Sequence, residues 1–319
     1  MRFYFPLALA ALCGAQTPPV PVFHHLQLNS VDPNAAIEFY TRQFPSTERA
    51  TYAGEPALRS GPVWVLFTKV KTPPPTQPQT AIWHFGWHVV DAHKNMAVYQ
   101  QRGVKLLPLY TTGEGGSVFV SSDTWPGAGG SLGRTKTEIA EAIAKGIQST
   151  HGAGFAYLEA PDGAIIEYQG DMPAERFNHV HMFQKDPYCA ELWYHQHLNA
   201  PFSTASKRAG YTEANCHVAM PERSWPSLER EGMFRMPGGV MFGNVSLSFH
   251  IQQDDRTLAP TRGQLYDHIG LSVADLDAWI AKLHGEHVKF LTKTYKLGDA
   301  RAVMIEGPSR EALELVEVK

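Results

Sequence analysis

The sequence predicts an α+β protein made of two related halves, and three observations carry that expectation. A histidine stands seven residues before an aspartate four times, as His25 to Asp32, His84 to Asp91, His179 to Asp186 and His268 to Asp275. Among 15 histidines in 319 residues, chance gives on the order of one such pair, so the pattern is an internal repeat. Each aspartate follows a short segment that alternates or runs apolar like a buried strand, and opens a stretch with helical periodicity. The second and fourth units also close alike. Glu159-Ala160-Pro161 and Glu306-Gly307-Pro308 are each followed by a glutamate eight residues after the first, Glu167 and Glu314.

Residues 1–15 carry one basic residue, Arg2, an apolar run from Phe3 to Leu12 and a small-residue finish at Gly14 and Ala15, the layout of a secretory signal cleaved after Ala15. The run is shorter than the roughly 20 residues that span a bilayer. Cys13 suggests a lipoprotein signal, but Leu12 stands where that cleavage needs a small residue. The mature chain is therefore expected to be exported, periplasmic or secreted. Its 43% hydrophobic and 18% charged residues are those of a soluble globular protein. A net charge of −3 with no local Lys/Arg cluster gives no field for nucleic acid. Of the two remaining cysteines, Cys189 and Cys216 either pair or stand as small free residues in the core.

The first unit runs from His25 through a helix at 33–44, with Asp32 as N-cap and Pro33 at the first helical position. It ends in an apolar strand at 63–67. A proline-rich connector at 72–78 is too rich in proline for a helix or central strand and reads as a stiff crossover. The second unit starts at His84, carries a Gly-rich segment at 113–133 and a helical stretch at 137–147, and closes with a strand, a Pro-Asp-Gly turn and a strand. The third opens at His179, with Pro187 after its aspartate, and makes a polar excursion through 199–239. In the fourth, Leu276, Trp279, Ile280 and Leu283 share one helical face that ends at Gly285. These units give a first domain at 22–171 and a second at 176–319.

The histidine pattern and the two matching glutamates resemble the vicinal oxygen chelate superfamily of glyoxalases, bleomycin-resistance proteins and extradiol dioxygenases, over nearly all of the mature chain. The resemblance implies two tandem domains, each of two βαβββ modules curled into a cup around a metal. It implies His25, His84 and Glu167 as ligands in the first half and His179, His268 and Glu314 in the second. Pairings other than first with second and third with fourth would reassign these triads. Two neutral imidazoles and a carboxylate form a facial triad with open positions. Glu167 and Glu314 sit among apolar residues, where an unpaired carboxylate is costly to bury; the alternative is a solvent-facing position on an alternating strand.

Glyoxalase-type sites take a glutamate from every module. The corresponding strands of the first and third units, Leu66–Lys69 and Leu247–His250, supply none, which points to the three-ligand dioxygenase pattern. His151, Tyr157, the turn at 160–163 and Glu167 follow the order of the extradiol signature, with Met304 in the tyrosine position of the other half. Tyr157, His151 and His250 are the acid–base candidates. His88 and His181 line the cup or back up the ligands, and His195 and His197 read as surface residues. The expected cofactor is a divalent ion, ferrous iron first, with manganese or zinc as alternatives. The expected partner is a small molecule chelated through adjacent oxygens, with no nucleic acid and no stable membrane span; an oligomer stays open. The leading reading is an extradiol-type dioxygenase whose chemistry lies at the Glu167 triad. A glyoxalase-like lyase or isomerase, a non-catalytic small-ligand binder and a structural zinc protein are the alternatives.

Overall fold

The computed structural model describes residues 18–76, 78–107, 141, 144–146, 155–170, 172–202, 212–217, 238–252 and 257–318. The expected signal at 1–15, the Gly-rich segment at 113–133, His151 and most of the 137–147 and 199–239 stretches lie outside the described residues.

The four repeats each become a strand, a helix and further strands. The first module contains β1 (Val22–Ser30), α1 (Pro33–Gln43), β2 (Thr47–Tyr52), β3 (Glu55–Ser60) and β4 (Val63–Lys69). In the second come β5 (Ile82–His88), α2 (Ala92–Gln101), β6 (Leu106–Leu107), β7 (Phe155–Glu159) and β8 (Ile165–Gln169). The third shows β9 (Arg176–Gln184), α3 (Pro187–Leu198), β10 (Gly238–Phe242) and β11 (Val245–Ile251). The fourth comprises β12 (Tyr266–Val273), α4 (Leu276–Gly285), β13 (Tyr295–Leu297), β14 (Ala300–Glu306) and β15 (Ala312–Glu317).

All four repeat aspartates occupy the N-cap position. Asp32, Asp91 and Asp275 accept hydrogen bonds from backbone N–H groups of the first turn, which otherwise lack partners. Asp186 makes no such bond and instead pairs with His217 at 3.1 Å.

The strands form two sheets, and their order corrects the expected domains. The eight-stranded sheet runs β13-β14-β15-β12-β1-β4-β3-β2, and the seven-stranded sheet runs β10-β11-β9-β5-β8-β7-β6. The first module is thus joined to the fourth and the second to the third, so neither 22–171 nor 176–319 is a cup by itself. The connectors explain this. Only a short link separates β8 from β9, which returns antiparallel beside β5. The proline-rich connector instead carries the chain from the eight-stranded to the seven-stranded sheet, and 257–265 carries it back alongside. These two crossovers are tied by Ala259 N–H to the Gln79 carbonyl at 2.8 Å and Leu265 N–H to the Pro75 carbonyl at 3.1 Å.

One core holds the two sheets together. Phe23 of β1 meets Phe177 of β9 at 5.5 Å between ring centres, and Tyr40 of α1 touches Phe67 of one sheet and Phe85 and Trp87 of the other at 6.0–6.1 Å. Such aromatic pairs add to the area they bury. Cys189 and Cys216 form a disulfide, with Cα atoms 4.8 Å apart, which settles the alternative left open by the sequence. Among the described residues, no helix is long and apolar enough to cross a membrane.

Candidate metal centres

Every candidate ligand histidine sits near the start of its module's first strand, directly after a bulge. In the antiparallel β1–β12 pair, Phe23 faces Leu271 and His25 faces Gly270, so His24 is extra; Gln27 faces His268 and Leu28 faces Tyr266, so Asp267 is extra. The β5–β9 pair repeats this with Trp83 and Asn178. A bulged residue escapes strict alternation, and here it lies beside the next side chain rather than on the opposite face. His25 and His24 meet Nδ1 to Nδ1 at 2.8 Å, His179 Nδ1 bonds Asn178 Oδ1 at 3.0 Å, and His268 Nδ1 bonds Asp267 Oδ1 at 2.6 Å. Trp83 has no acceptor to offer and packs edge-on against His84 at 4.3 Å.

Engaging Nδ1 leaves Nε2 as the donor atom pointing into the cup. In the eight-stranded cup, His25 Nε2 lies 3.2 Å from His268 Nε2 and 3.3 Å from Glu314 Oε2, and His268 Nε2 lies 3.9 Å from Glu314 Oε1. In the seven-stranded cup, Glu167 Oε2 is 3.0 Å from His84 Nε2, 3.7 Å from His179 Nε2 and 3.5 Å from His181 Nδ1. Both clusters are buried. Opposite each lies a glycine that makes the approach possible. A Cβ on Gly86 would fall 2.3 Å from the His179 ring, and one on Gly270 would fall 2.0 Å from the His25 ring.

All six residues expected as ligands therefore converge, but in different groups. His25 joins His268 and Glu314, and His179 joins His84 and Glu167. The His25/His84/Glu167 and His179/His268/Glu314 triads do not form, because one cup joins the first module to the fourth and the other joins the second to the third.

Residues 22–124 match the family described as the Glyoxalase/Bleomycin resistance protein/Dioxygenase superfamily. The match spans the first module and the start of the second. Glyoxalase I from Zea mays superposes on it with a TM-score of 0.58 and 13% identity, covering 93% of this chain and 92% of that one. A putative dioxygenase from Bacillus subtilis gives 0.51 and 9%, covering 94% and 86%. At these identities the likeness is one of fold. No curated protein matches the sequence.

Within this vicinal oxygen chelate fold, burial sets the charge state of the donors. It lowers His84 to about 3 and His24 to about 4. His179 falls to about 4, through burial first, although Glu167 pulls the other way. His25 lies well below the usual histidine value through burial, then His268 and His24; His181 does so through burial, then the rings of His179, His84 and His250. Burial raises Glu167 despite His179 and a hydrogen bond from Tyr157. It raises Glu314 despite His268 and a hydrogen bond from Tyr295.

A divalent cation fits both donor sets. In the eight-stranded cup, two Nε2 atoms whose rings use Nδ1 for other bonds face each other at 3.2 Å, and a shared cation relieves the contact between their lone pairs. Among the described residues, His179 Nε2, His181 Nδ1 and Glu314 Oε2 are buried without a hydrogen bond, the kind of unsatisfied group that costs free energy unless coordinated.

Two of the other expected residues, Tyr157 and His250, lie beside the seven-stranded cluster. Tyr157 lies directly opposite Glu167 across β7–β8, and His250 is fully buried with its ring 4.9 Å from His181. His88 contacts Asn178. His195 and His197 lie away from both cups, bonded to the Ala200 carbonyl and to Glu286. Sequence reading missed Tyr295, which takes over toward Glu314 the hydrogen bond that Met304 cannot make. It also missed Asp267, Asn178 and His24; the available signal was a polar residue immediately before three of the four repeat histidines.

Proposed function

We propose that the chain is an exported metal-dependent enzyme that takes a small substrate through two adjacent oxygens, with extradiol-type dioxygenase chemistry at the His25/His268/Glu314 centre. The observation that carries this reading is a register position. Glu314 on β15 is level with Gly270 on β12, and Glu167 on β8 with Gly86 on β5. The equivalent positions of the first and third modules are Leu66, level with Gln27, and Ser248, level with His181. Among the described residues, neither cup has the second carboxylate of a glyoxalase-type site, and two imidazoles with one carboxylate leave positions open.

A bound divalent ion would act as a Lewis acid and template for the substrate's oxygens. The protein's own groups do the rest. Asp267 and His24 fix the two imidazoles, and Tyr295 holds Glu314 through one carboxylate oxygen. A cavity of about 920 Å³ lies on the far side of His24, the partner of His25; it is lined also by Tyr52, Trp64, Asp299, Arg301 and Glu317 and by none of the three donors, and its two aromatic faces suit a flat diol. Trp64 is level with His25 on the neighbouring strand. Here the reading departs from the sequence-based preference for the Glu167 triad: the eight-stranded cup has its own tyrosine, and among the described residues its donor set stops at three. The Cys189–Cys216 disulfide supports export, since such bonds persist in oxidising compartments.

The test is anaerobic loading of the purified protein with ferrous iron, followed by catechol and then nitric oxide as an oxygen surrogate. The reading expects catechol to change the nitric oxide electron-spin signal in wild type and not in Glu314→Ala, and expects oxygen uptake with catechols. Metal-free protein after reconstitution, or a signal indifferent to catechol, would overturn it.

A further inference from the structure

We propose that the seven-stranded cup is a different kind of metal centre, with four protein donors, in which His181 joins His84, His179 and Glu167. This rests on the reading that the cups hold metal, and adds a second donor on β9, where the repeat supplies a single histidine.

His181 lies two residues beyond His179 on β9, so the period of two puts both rings on one face. They stack with centres 4.4 Å apart, and His181 faces His84 across the β5–β9 pair with ring centres at 4.6 Å. Its Nδ1 is 3.5 Å from Glu167 Oε2, and among the described residues it has no hydrogen bond, although the residue is only 8% exposed. Donors bound to one ion at about 2.0–2.2 Å stand roughly 3 Å apart when adjacent and somewhat over 4 Å when opposite. The separations from Glu167 Oε2, 3.0, 3.5 and 3.7 Å, fall in that range.

The four modules differ at one register position. Where the last strand brings a glutamate, the residue level with it on the first strand is glycine, as in Gly86 with Glu167 and Gly270 with Glu314. The third module has no glutamate there but Ser248, and the level residue is His181. A donor lost from one strand is thus replaced from its neighbour. The first module has Leu66 and Gln27 in these places, and the Gln27 amide nitrogen donates to Thr68 at 3.0 Å. Among the described residues the seven-stranded cup therefore offers three nitrogens and one carboxylate, the eight-stranded cup two and one. A nitrogen-rich set favours ions late in the divalent series, such as copper, nickel or zinc.

The test uses full-length protein carrying Glu314→Gln, which disables the eight-stranded centre, with one equivalent of Cu²⁺ as the probe. Pulsed electron-spin measurements count the coordinated imidazoles. Three are expected, falling to two in the additional variant His181→Gln, with Cu²⁺ affinity lower by about 100-fold, the upper end of what loss of a ligand's hydrogen-bond partner costs. Should His181→Gln not fold, the count in Glu314→Gln alone decides. Copper held by two imidazoles there would overturn the fourth ligand while leaving the metal reading intact. Failure to bind copper in this cup would overturn both.

Discussion

The two cups are built from the same bulged strands and the same glycine opposite a histidine, yet they differ in how each ligand is held. In the eight-stranded cup every donor has an outer partner: His24 for His25, Asp267 for His268 and Tyr295 for Glu314. In the seven-stranded cup His179 is held by an amide, His84 is packed by an indole, and a third imidazole stands close to the donors. One fold has thus produced a candidate three-donor set partnered by an imidazole, a carboxylate and a phenol, and a candidate nitrogen-rich set whose described partners are an amide and an indole. The difference traces to a few positions: the bulged residue before each histidine and the residue two after it.

The largest expected contrast comes from removing one carboxylate at a time. Glu314→Ala should lower diol turnover by about 100-fold or more, since it removes a ligand from a centre worth several kcal/mol to the transition state. Glu167→Ala should keep most of it. Both are assayed at equal folded concentration, and the reverse ranking would return the chemistry to the Tyr157 and His250 side. Next comes Asp267→Asn, which replaces a carboxylate partner by an amide and should weaken metal binding in the eight-stranded cup by about 10–100-fold. Asn178→Asp should tighten the other cup. Equal affinities by competition against a chelator dye, before and after each change, would show that the bulged residues do not tune the centres.

The smallest effect is on pH. His24, His84 and His179 titrate lower in the folded chain than in the unfolded one, so folding excludes protons. Their contribution to stability is full above about 6.5, the ordinary histidine value, and is lost as pH falls toward the folded values of about 3 to 4. Glu167 and Glu314 act in the opposite sense: their raised values favour the metal-free fold below the ordinary carboxyl value, and that support is lost as pH rises through the folded values. Denaturant unfolding of chelator-treated protein should therefore show stability falling between pH about 6.5 and about 5, and less so after His181→Gln removes one of the deeply lowered imidazoles. A flat profile over that interval would contradict the burial of these rings.

Much of this was legible in the sequence. The histidine-to-aspartate spacing marked strand, cap and helix in all four modules, and the apolar setting of Glu167 and Glu314 marked the last strands. The pairing of modules was not, because the same four units can join in more than one order and the contacts that decide are distant in sequence. Even so, the short link from Gln169 to Arg176 and the stiff crossover at 72–78 point to the observed order once weighed together. Asp267, Asn178 and His24 were hidden by the bulges, since a period of two sends the residue before an inward histidine outward. Tyr295 was hidden because it reaches Glu314 from a strand farther away than the one that carries Met304.

The pairing of the first module with the fourth and of the second with the third fixes which ligands share a centre, and metal counting in a double variant tests it directly. His25→Ala and Glu314→Ala should each leave one tightly held ion per chain, and the two changes combined should still leave one, because both fall in the eight-stranded cup. If instead the combined variant loses both ions, His25 and Glu314 serve different centres and the pairing of first with fourth and second with third is wrong.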